Sequence, residues 1–218
     1  MRKIGTLVPD DYDAWYHTPR GRWIADTEYR LLRDGLRAAP GCSVLDVGCG
    51  TGYFTRRLAN DGFIVTGVDL DADMIRYAAA QGGNVVYRVA DARALPFPDR
   101  SFDYIVAITS LCFIHEQQQA VAEMRRVVRV RIALGLLNRR SLLYQRKGRH
   151  GGAGAYCGAH WHTAREARCL MREVDVHNID VRSAIYLPGG GRVAKLVERA
   201  IPARISLGGF LLTSGDVG

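Results

Sequence analysis

The chain has 218 residues, of which 48% are apolar, and this composition predicts a folded domain with a substantial core rather than a disordered chain. No apolar run reaches the roughly 18 residues of a membrane-spanning helix, and residues 1–5 are too polar for a secretory signal. Five irregularly spaced cysteines predict free thiols rather than a disulfide framework. We therefore expect a cytoplasmic protein.

The net charge of +8 is compatible with binding to nucleic acid, an acidic substrate or a membrane surface. The densest basic cluster lies within residues 139–150, where five side chains are arginine or lysine and the last residue is His150. No predicted helix carries a purely basic stripe. This pattern favours a generally arginine-rich composition over a dedicated nucleic-acid surface.

Short apolar runs alternate with helical segments along the first two thirds of the chain. Residues 1–20 show no period and are predicted to be irregular, and a helix is predicted over 21–38. Strands are then predicted at 43–47, 63–69, 84–90, 102–108 and 131–137, with helices at 51–60, 71–80 and 116–128 and a proline-containing loop at 92–101. The alternation predicts an α/β fold with a doubly wound, mostly parallel sheet.

The pattern changes after residue 137. Residues 138–162 are polar, basic and rich in glycine, and they are too long for an ordinary connection. We predict that they form a mobile flap on the ligand side of the sheet. The remaining elements are predicted as helices at 163–172 and 191–200 and strands at 178–187 and 208–214. One domain results, with an N-terminal part (1–40), a ligand-binding half (41–137) and a substrate-side half (138–218).

The strongest signal is the run VLDVGCGTG, in which Asp46 stands inside an otherwise apolar strand. Three glycines follow at alternate positions: Gly48, Gly50 and Gly52. Glycine lets the backbone turn sharply and approach a bound molecule closely. The N–H groups that open the next helix, from about Thr51, add positive partial charge. This combination predicts a ligand-binding turn.

Acidic side chains also follow the next two strands. Asp69 ends the second strand, Asp91 follows the third, and Thr109 follows the fourth. Because an open parallel sheet binds its ligand beyond the carboxyl ends of its strands, these residues are expected to meet at one site. The dinucleotide fingerprint G-x-G-x-x-G does not fit, since position 53 is Tyr53, and no phosphate-loop lysine follows.

These motifs resemble those of the class I S-adenosylmethionine (SAM) methyltransferases. The glycine turn is similar to the family's first motif and GVDLDADMI at 67–75 to its second. The run DARALPFPDRSFD at 91–103 resembles that of a small-molecule subgroup that includes the quinone-biosynthesis C-methyltransferases. The resemblance is strong over 40–137 and weak elsewhere. It implies a Rossmann-like seven-stranded sheet with SAM as the cofactor.

The resemblance also implies a role for each residue at the strand ends. Asp69 would accept hydrogen bonds from both ribose hydroxyls, Asp91 would accept one from the adenine amine, and Asp46 would face the ammonium group of the ligand. The implied cofactor-binding residues are Asp46, Gly48, Gly50, Thr51, Gly52, Asp69, Leu70, Met74, Asp91, Ala92 and Thr109, with Met74 against the adenine.

One departure from the family pattern concerns the edge of the sheet. The family usually has a proline-glycine-glycine turn before the fifth strand, whereas residues 123–132 run through without one. The turn must therefore be shorter, or the helix must end differently. The missing turn lies on the side of the sheet opposite the predicted SAM site.

Few residues stand out as catalytic. His115 and Tyr16 are weak candidates, one near the mouth of the site and one in an N-terminal lid, and ordinary structural roles explain either equally well. Cys157, His160 and His162 are metal ligands by type, but a fourth ligand at fixed spacing is missing, so no metal is predicted.

The sequence therefore predicts a SAM-dependent methyltransferase that acts on a small-molecule acceptor. Two alternatives stay open. The first is methylation of RNA or protein through the basic segment 138–150, and the second is a SAM-binding module without catalysis.

Overall fold

The computed structural model describes residues 8–218, which form a seven-stranded sheet with helices on both faces. The strands are β1 (Ser43–Val47), β2 (Ile64–Asp69), β3 (Val85–Val89), β4 (Phe102–Ile108), β5 (Val128–Leu137), β6 (Val176–Ala184) and β7 (Phe210–Val217). The α-helices are α1 (Pro9–His17), α2 (Pro19–Leu36), α3 (Tyr53–Asn60), α4 (Ala72–Ala80), α5 (Gln117–Val127), α6 (Leu142–Lys147), α7 (Ala164–Arg172) and α8 (Arg192–Ala200).

The strand order is β3-β2-β1-β4-β5-β7-β6. Strands β1 to β5 are parallel, and β7 is antiparallel to both of its neighbours. The predicted α/β class and the single domain with a mostly parallel seven-stranded sheet are therefore confirmed. The order runs outward from β1 in both directions, so the carboxyl ends of β1, β2 and β4 border the point where the chain changes direction.

The core consists of two apolar layers, one on each face of the sheet. Because side chains alternate along a strand, β1 contributes Val44 to one layer and Leu45 and Val47 to the other. The first layer packs under α2 and α3, whereas the second packs under α5 and α7. Asp46 is two residues after Val44 and points to the same face of the sheet, so its carboxylate faces α3.

The prediction that residues 1–20 are irregular is wrong for residues 9–17, which form α1. Pro9 begins the helix, at a position where a backbone N–H would have no partner within the helix. The negative charges of Asp10 and Asp11 stabilise the positive end of the helix dipole. Thr18 separates α1 from α2, and its hydroxyl accepts from the Gly21 N–H at 3.0 Å. Residues 1–7, which include the segment judged too polar for a secretory signal, lie outside the described residues.

The missing proline-glycine-glycine turn has a direct explanation. Helix α5 ends at Val127, and Val128 is already extended and pairs with Phe102. The next pairing joins Tyr104 to Arg131, so β5 carries one extra residue there. A bulge thus replaces the turn, and β5 begins three residues earlier than the predicted 131.

The segment 138–162 contains α6 and two short 3₁₀ turns at 149–151 and 154–156. A bridge between Asn138 and His162 brings its two ends together. Trp161 is buried against the apolar core and packs edge-on against Tyr144. Trp161 therefore anchors the base of the segment to the core, and the mobility of the segment stays a prediction.

Across residues 8–218, no helix is both long and apolar enough to cross a bilayer. All five cysteines are free thiols, as predicted.

A buried arginine ties α2 to the sheet. The Arg131 side chain is 3% exposed, and its guanidinium donates to the Gly35 carbonyl at 2.7 Å and to the Ser214 hydroxyl at 3.1 Å, besides pairing with Asp216. A buried charge with these partners holds the carboxyl-terminal end of α2 against β5 and β7.

Arg131→Met should lower the free energy of unfolding by about 2–4 kcal/mol, because it leaves buried acceptors without donors. Urea denaturation followed by circular dichroism measures the loss. Arg129→Met is the matched control, since that arginine is 41% exposed and its pair with Asp103 should contribute less than about 1 kcal/mol. Equal losses for the two variants would contradict the assigned role of Arg131.

Candidate active site

The glycine turn after β1 is fixed to the end of β2. The Gly48 and Cys49 N–H groups both donate to the Val68 carbonyl, at 2.7 and 2.9 Å. The Gly50 N–H donates to one oxygen of Asp69 at 2.8 Å, and the Asp71 N–H donates to the other at 2.9 Å. The Asp69 carboxylate thereby joins the turn to the start of α4. Burial raises its pKa, and these backbone donors oppose the rise.

Gly48 and Gly50 differ in the space that surrounds them. Gly48 has φ +73°, and a Cβ there would lie 2.2 Å from the Ser110 Cβ, so only glycine fits. Gly50 has φ +53°, but a Cβ there would meet only the Tyr12 ring, at 4.0 Å. The turn is thus packed tightly on its Gly48 side and faces an open cleft at Gly50.

Asp46 lies buried at the base of this cleft. Its side chain accepts a hydrogen bond from the Thr55 hydroxyl at 2.6 Å, and the residue is 2% exposed. Burial raises its pKa to about 7, with a further contribution from the charge of Asp69 and an opposing one from the Thr55 hydrogen bond. Asp46 has no basic partner in the described part of the chain, and a carboxylate at this depth is suited to face a cationic ligand.

Helix α1 covers the cleft with two tyrosines. The hydroxyls of Tyr12 and Tyr16 are 3.2 Å apart, and the ring of Tyr16 stacks on that of Tyr53 with centroids 4.0 Å apart. The cleft is lined by Tyr12, Tyr16, Asp46, Gly48, Cys49, Gly50, Thr51, Tyr53, Phe54 and Ile108. Tyr16, predicted as part of a lid, therefore borders the glycine turn.

An arginine connects α1 with the helix that follows the turn. Arg56 donates to the Thr51 carbonyl at 2.7 Å and lies 3.5 Å from the buried Asp13 carboxylate. Asp13 also lies 3.2 Å from the ring of His17. Because one guanidinium contacts both elements, the position of α1 and the shape of the turn are coupled.

The third predicted acid has a different environment. Asp91 accepts from the Arg93 guanidinium through both oxygens, with contacts of 2.7 to 3.1 Å, and from the Arg93 N–H at 2.9 Å. These bonds to Arg93 lower the pKa of Asp91. Its proposed bond to an adenine amine stays a prediction and would have to use the lone pairs that Arg93 leaves available.

The other predicted cofactor residues lie around the same edge of the sheet. Leu70 is exposed at the end of β2, and Met74 on α4 and Ala92 on the loop after β3 are half-buried. Thr109 has φ +57°, a conformation that costs a β-branched residue about 1–3 kcal/mol. Such strain at the end of β4, beside the cleft, is typical of functional sites.

His115 lies apart from the glycine turn. It is exposed in a second cleft lined by Cys112, Phe113, Ile114, His115, Gln117, Gly158 and His160, which shares no residue with the first. His162 is nearby, with its Nε2 2.9 Å from the Gln117 amide oxygen, and burial lowers its pKa to about 4. The assignment of His115 as a catalytic residue stays a prediction.

Sequence reasoning missed three contributors to the cleft. Tyr12 lies in the stretch predicted to be irregular, where an acidic first turn after Pro9 indicated a helix. Thr55 and Arg56 lie on α3, and their spacing from Asp46 and Thr51 becomes meaningful only once the strand and helix are packed together. No pattern in the sequence indicates the Arg56–Asp13 contact.

Residues 45–131 match the family model of a methyltransferase domain. A demethylmenaquinone methyltransferase of Renibacterium salmoninarum is 36% identical over 100 residues, which cover 46% of this chain and 42% of the relative. An uncharacterised protein of Mycobacterium tuberculosis is 31% identical over 186 residues, or 82% of this chain and 62% of the relative. The chain thus spans less than two thirds of the length of these relatives.

A structural neighbour from Thermotoga maritima matches over the whole of both chains with a TM-score of 0.81 and 21% identity. It is described as a SAM-dependent methyltransferase and possible histamine N-methyltransferase. At this identity the likeness establishes the fold, and the matched domain model adds the sequence signature of residues 45–131.

The environment of Asp46 predicts a pH dependence of stability. Its pKa rises from an ordinary 3.8 to about 7 on folding, so the folded state retains a proton that the unfolded chain loses. Its contribution to stability therefore falls as the pH rises from about 4 to about 7, by roughly 3 kcal/mol in total. Asp46→Asn should remove this contribution and be more stable than the wild type at pH 7.

Urea denaturation at several pH values measures this difference. Asp34→Asn, an exposed substitution with the same charge change, should follow the wild-type curve. If the free energy of unfolding of Asp46→Asn changed with pH in the same way as that of the wild type, Asp46 would be ionised in the folded protein.

Proposed function

We propose that this chain, which carries a class I methyltransferase domain, transfers a methyl group from SAM to a small-molecule acceptor. The observation that carries the proposal is a pair of carboxylates, Asp46 and Asp69, that border an open glycine turn and have no basic partner among residues 8–218. SAM carries both a ribose and positive charge, and these two acids supply acceptors for both.

The residues of the cleft fit this cofactor in a further respect. The Thr51 hydroxyl is buried and has no hydrogen-bond partner among the described residues. An unsatisfied buried hydroxyl beside open space above Gly50 is explained if a bound ligand supplies the missing partner. Asp69 would hold the ribose, Asp46 and Thr51 would face the charged end of the ligand, and Gly50 would let the ligand approach the backbone.

Bound SAM would supply an activated methyl group on a positively charged sulfur. The protein then has to align the acceptor with this methyl group and keep water out, and alignment alone can contribute several kcal/mol, up to roughly 10. Tyr12 and Tyr16 on α1 cover the turn and are suited to both tasks. The strained backbone of Thr109 would fix the edge of the sheet beside them.

Two observations support a small-molecule acceptor. The run at 91–103 resembles that of the small-molecule subgroup, and the relative from Renibacterium salmoninarum is named for a quinone-type substrate. The basic segment 138–150 supports RNA or protein as the alternative acceptor. Its side chains Arg140, Arg146, Lys147 and Arg149 are exposed, whereas Arg139 pairs with Glu166.

Calorimetry should detect SAM binding at micromolar or tighter affinity and no binding of NAD. Asp69→Ala should weaken SAM binding by about 1–3 kcal/mol, because it removes charged hydrogen bonds. Asp73→Ala is the matched control, since this acid is exposed and pairs with Arg76, and its loss should leave the affinity unchanged. A folded Asp69→Ala protein with wild-type affinity would refute the assigned ribose contact.

Filter binding tests the RNA alternative. We expect little retention of RNA at micromolar protein and physiological salt, since contiguous phosphate contacts are needed for tighter binding. Tight, salt-sensitive retention that is lost when Arg146, Lys147 and Arg149 are all changed to alanine would favour RNA as the acceptor. SAM binding without turnover on any acceptor pool would instead favour the non-catalytic alternative.

A further inference from the structure

Helix α8 exposes a row of aliphatic side chains. The helix lies in the connection from the end of β6 to the start of β7, at the edge of the sheet where β5 also ends. Val193 is 67% exposed and Leu196 is 64% exposed. Because residues three and four apart are neighbours on a helix surface, these two side chains and the exposed Ala200 form one row. Grouped aliphatic exposure of this kind is typical of a contact surface.

A basic row runs beside the aliphatic one. Arg192, Lys195 and Arg199 have the same spacing of three and four residues, and all three are exposed. Within residues 8–218 none of their side chains forms an ion pair or a hydrogen bond, whereas Arg126 and Arg139 pair with acids. The outer face of α8 thus carries an aliphatic row and an uncompensated basic row side by side.

The one acidic residue of α8 is turned away from this face. Glu198 accepts hydrogen bonds from the backbone N–H groups of Ile185 and Tyr186, both at 3.0 Å. These bonds attach the helix to the segment that follows β6. The carboxylate is therefore engaged on the inner side of α8 and does not neutralise the basic row outside.

The loop after α8 continues the same combination of side chains. Ile205 is 44% exposed, Leu207 is 53% exposed, and Arg204 is exposed as well. The hydroxyl of the buried Tyr186 lies 3.0 Å from the Ile205 carbonyl, which holds the loop against the body of the protein. The exposed side chains of residues 192–207 are called the α8 surface below.

We propose that the α8 surface docks on the headgroup region of an anionic membrane. Anionic headgroups attract basic side chains, and neighbouring aliphatic side chains enter the boundary between headgroups and acyl chains. The long stems of arginine and lysine keep their charges among the headgroups while the aliphatic row lies deeper. The contact is peripheral and reversible, and it turns the edge of the sheet at which β5 ends toward the bilayer. It does not depend on the identity of the methyl acceptor.

Other occupants fit the α8 surface less well. A second copy of the chain would bring two basic rows together across a two-fold interface, where they repel each other. RNA would leave the aliphatic row unused, and residues 192–207 contain no aromatic ring on which a base could stack. A stable protein interface uses roughly 20–30 residues a side, and this stretch is shorter and partly buried.

Sedimentation with lipid vesicles tests the proposal on the whole chain. The wild type should bind vesicles that contain about 30% phosphatidylglycerol roughly 10-fold more tightly than vesicles of phosphatidylcholine alone. Leu196→Ser should weaken binding to the anionic vesicles about 10-fold, because it removes an aliphatic contact. Arg199→Gln should weaken it about fivefold, because it removes one charge near the membrane surface.

Ile64→Ser and Arg165→Gln are the matched controls. Ile64 is 67% exposed but lies at the start of β2, and Arg165 is an exposed arginine of α7. Because a net charge of +8 by itself attracts the chain to anionic vesicles, these controls separate a general charge effect from docking through α8. Losses in the controls equal to those of Leu196→Ser and Arg199→Gln would overturn the proposal. Equal binding of the wild type to both kinds of vesicle would also overturn it.

A tryptophan introduced into the α8 surface gives a second readout. The fluorescence added by Leu196→Trp should shift to shorter wavelength on anionic vesicles and be quenched by brominated acyl chains, because the ring enters the interface. That of Ile64→Trp should do neither, and an unchanged Leu196→Trp signal would contradict docking.

Two further measurements identify a different occupant. Retention of RNA that Arg199→Gln weakens, or a dimer that Leu196→Ser dissociates, would overturn the proposal if the same variants bind vesicles as the wild type does. SAM affinity should be unchanged in every variant. Failure of the wild type to bind SAM would contradict the proposed function, whereas the vesicle measurements alone decide the role of the α8 surface.

Discussion

The Asp69 carboxylate is the interaction on which the candidate site depends. It accepts from the N–H of Gly50 with one oxygen and from that of Asp71 with the other, so the glycine turn and the start of α4 are held by a single side chain. The two hydrogen bonds to the Val68 carbonyl hold the turn against the end of β2, and Arg56 joins the turn to α1. The shape of the cleft therefore follows from a few polar contacts at the carboxyl ends of β1 and β2.

A common electrostatic feature distinguishes this cleft from the rest of the molecule. Most acids of residues 8–218 that are not exposed are paired with arginine, whereas Asp46 and Asp69 have no basic partner within this range. In an overall basic chain, a cationic ligand experiences a local region of unpaired negative charge, and low dielectric surroundings strengthen its attraction. This arrangement suits a positively charged methyl donor.

Much of the fold could be predicted because the apolar periodicity of the strands and helices and the turn residues between them indicate the same element boundaries. Strands β1 and β4 match their predicted bounds. Each is a short apolar run that ends at a glycine turn or a loop, so the sequence marks where the strand stops. Helix α1 was not predicted, because it is short and its sequence signal is confined to a proline and two acids in its first turn. The early start of β5 was not predicted, because it depends on a bulge in its pairing with β4 next to Phe102. The Asp69 and Asp46 positions follow from strand ends, whereas the contact between Arg56 and Asp13 depends on tertiary packing.

We infer that Asp46 and Asp69, which have no basic partner among residues 8–218, bind the positively charged cofactor. Calorimetry of SAM binding at pH 7 in buffers of different ionisation enthalpy measures the protons released on binding. Because the pKa of Asp46 is raised to about 7 in the free protein, a cation beside it should expel roughly half a proton more from the wild type than from Asp46→Asn. The same proton release from both proteins would contradict the account.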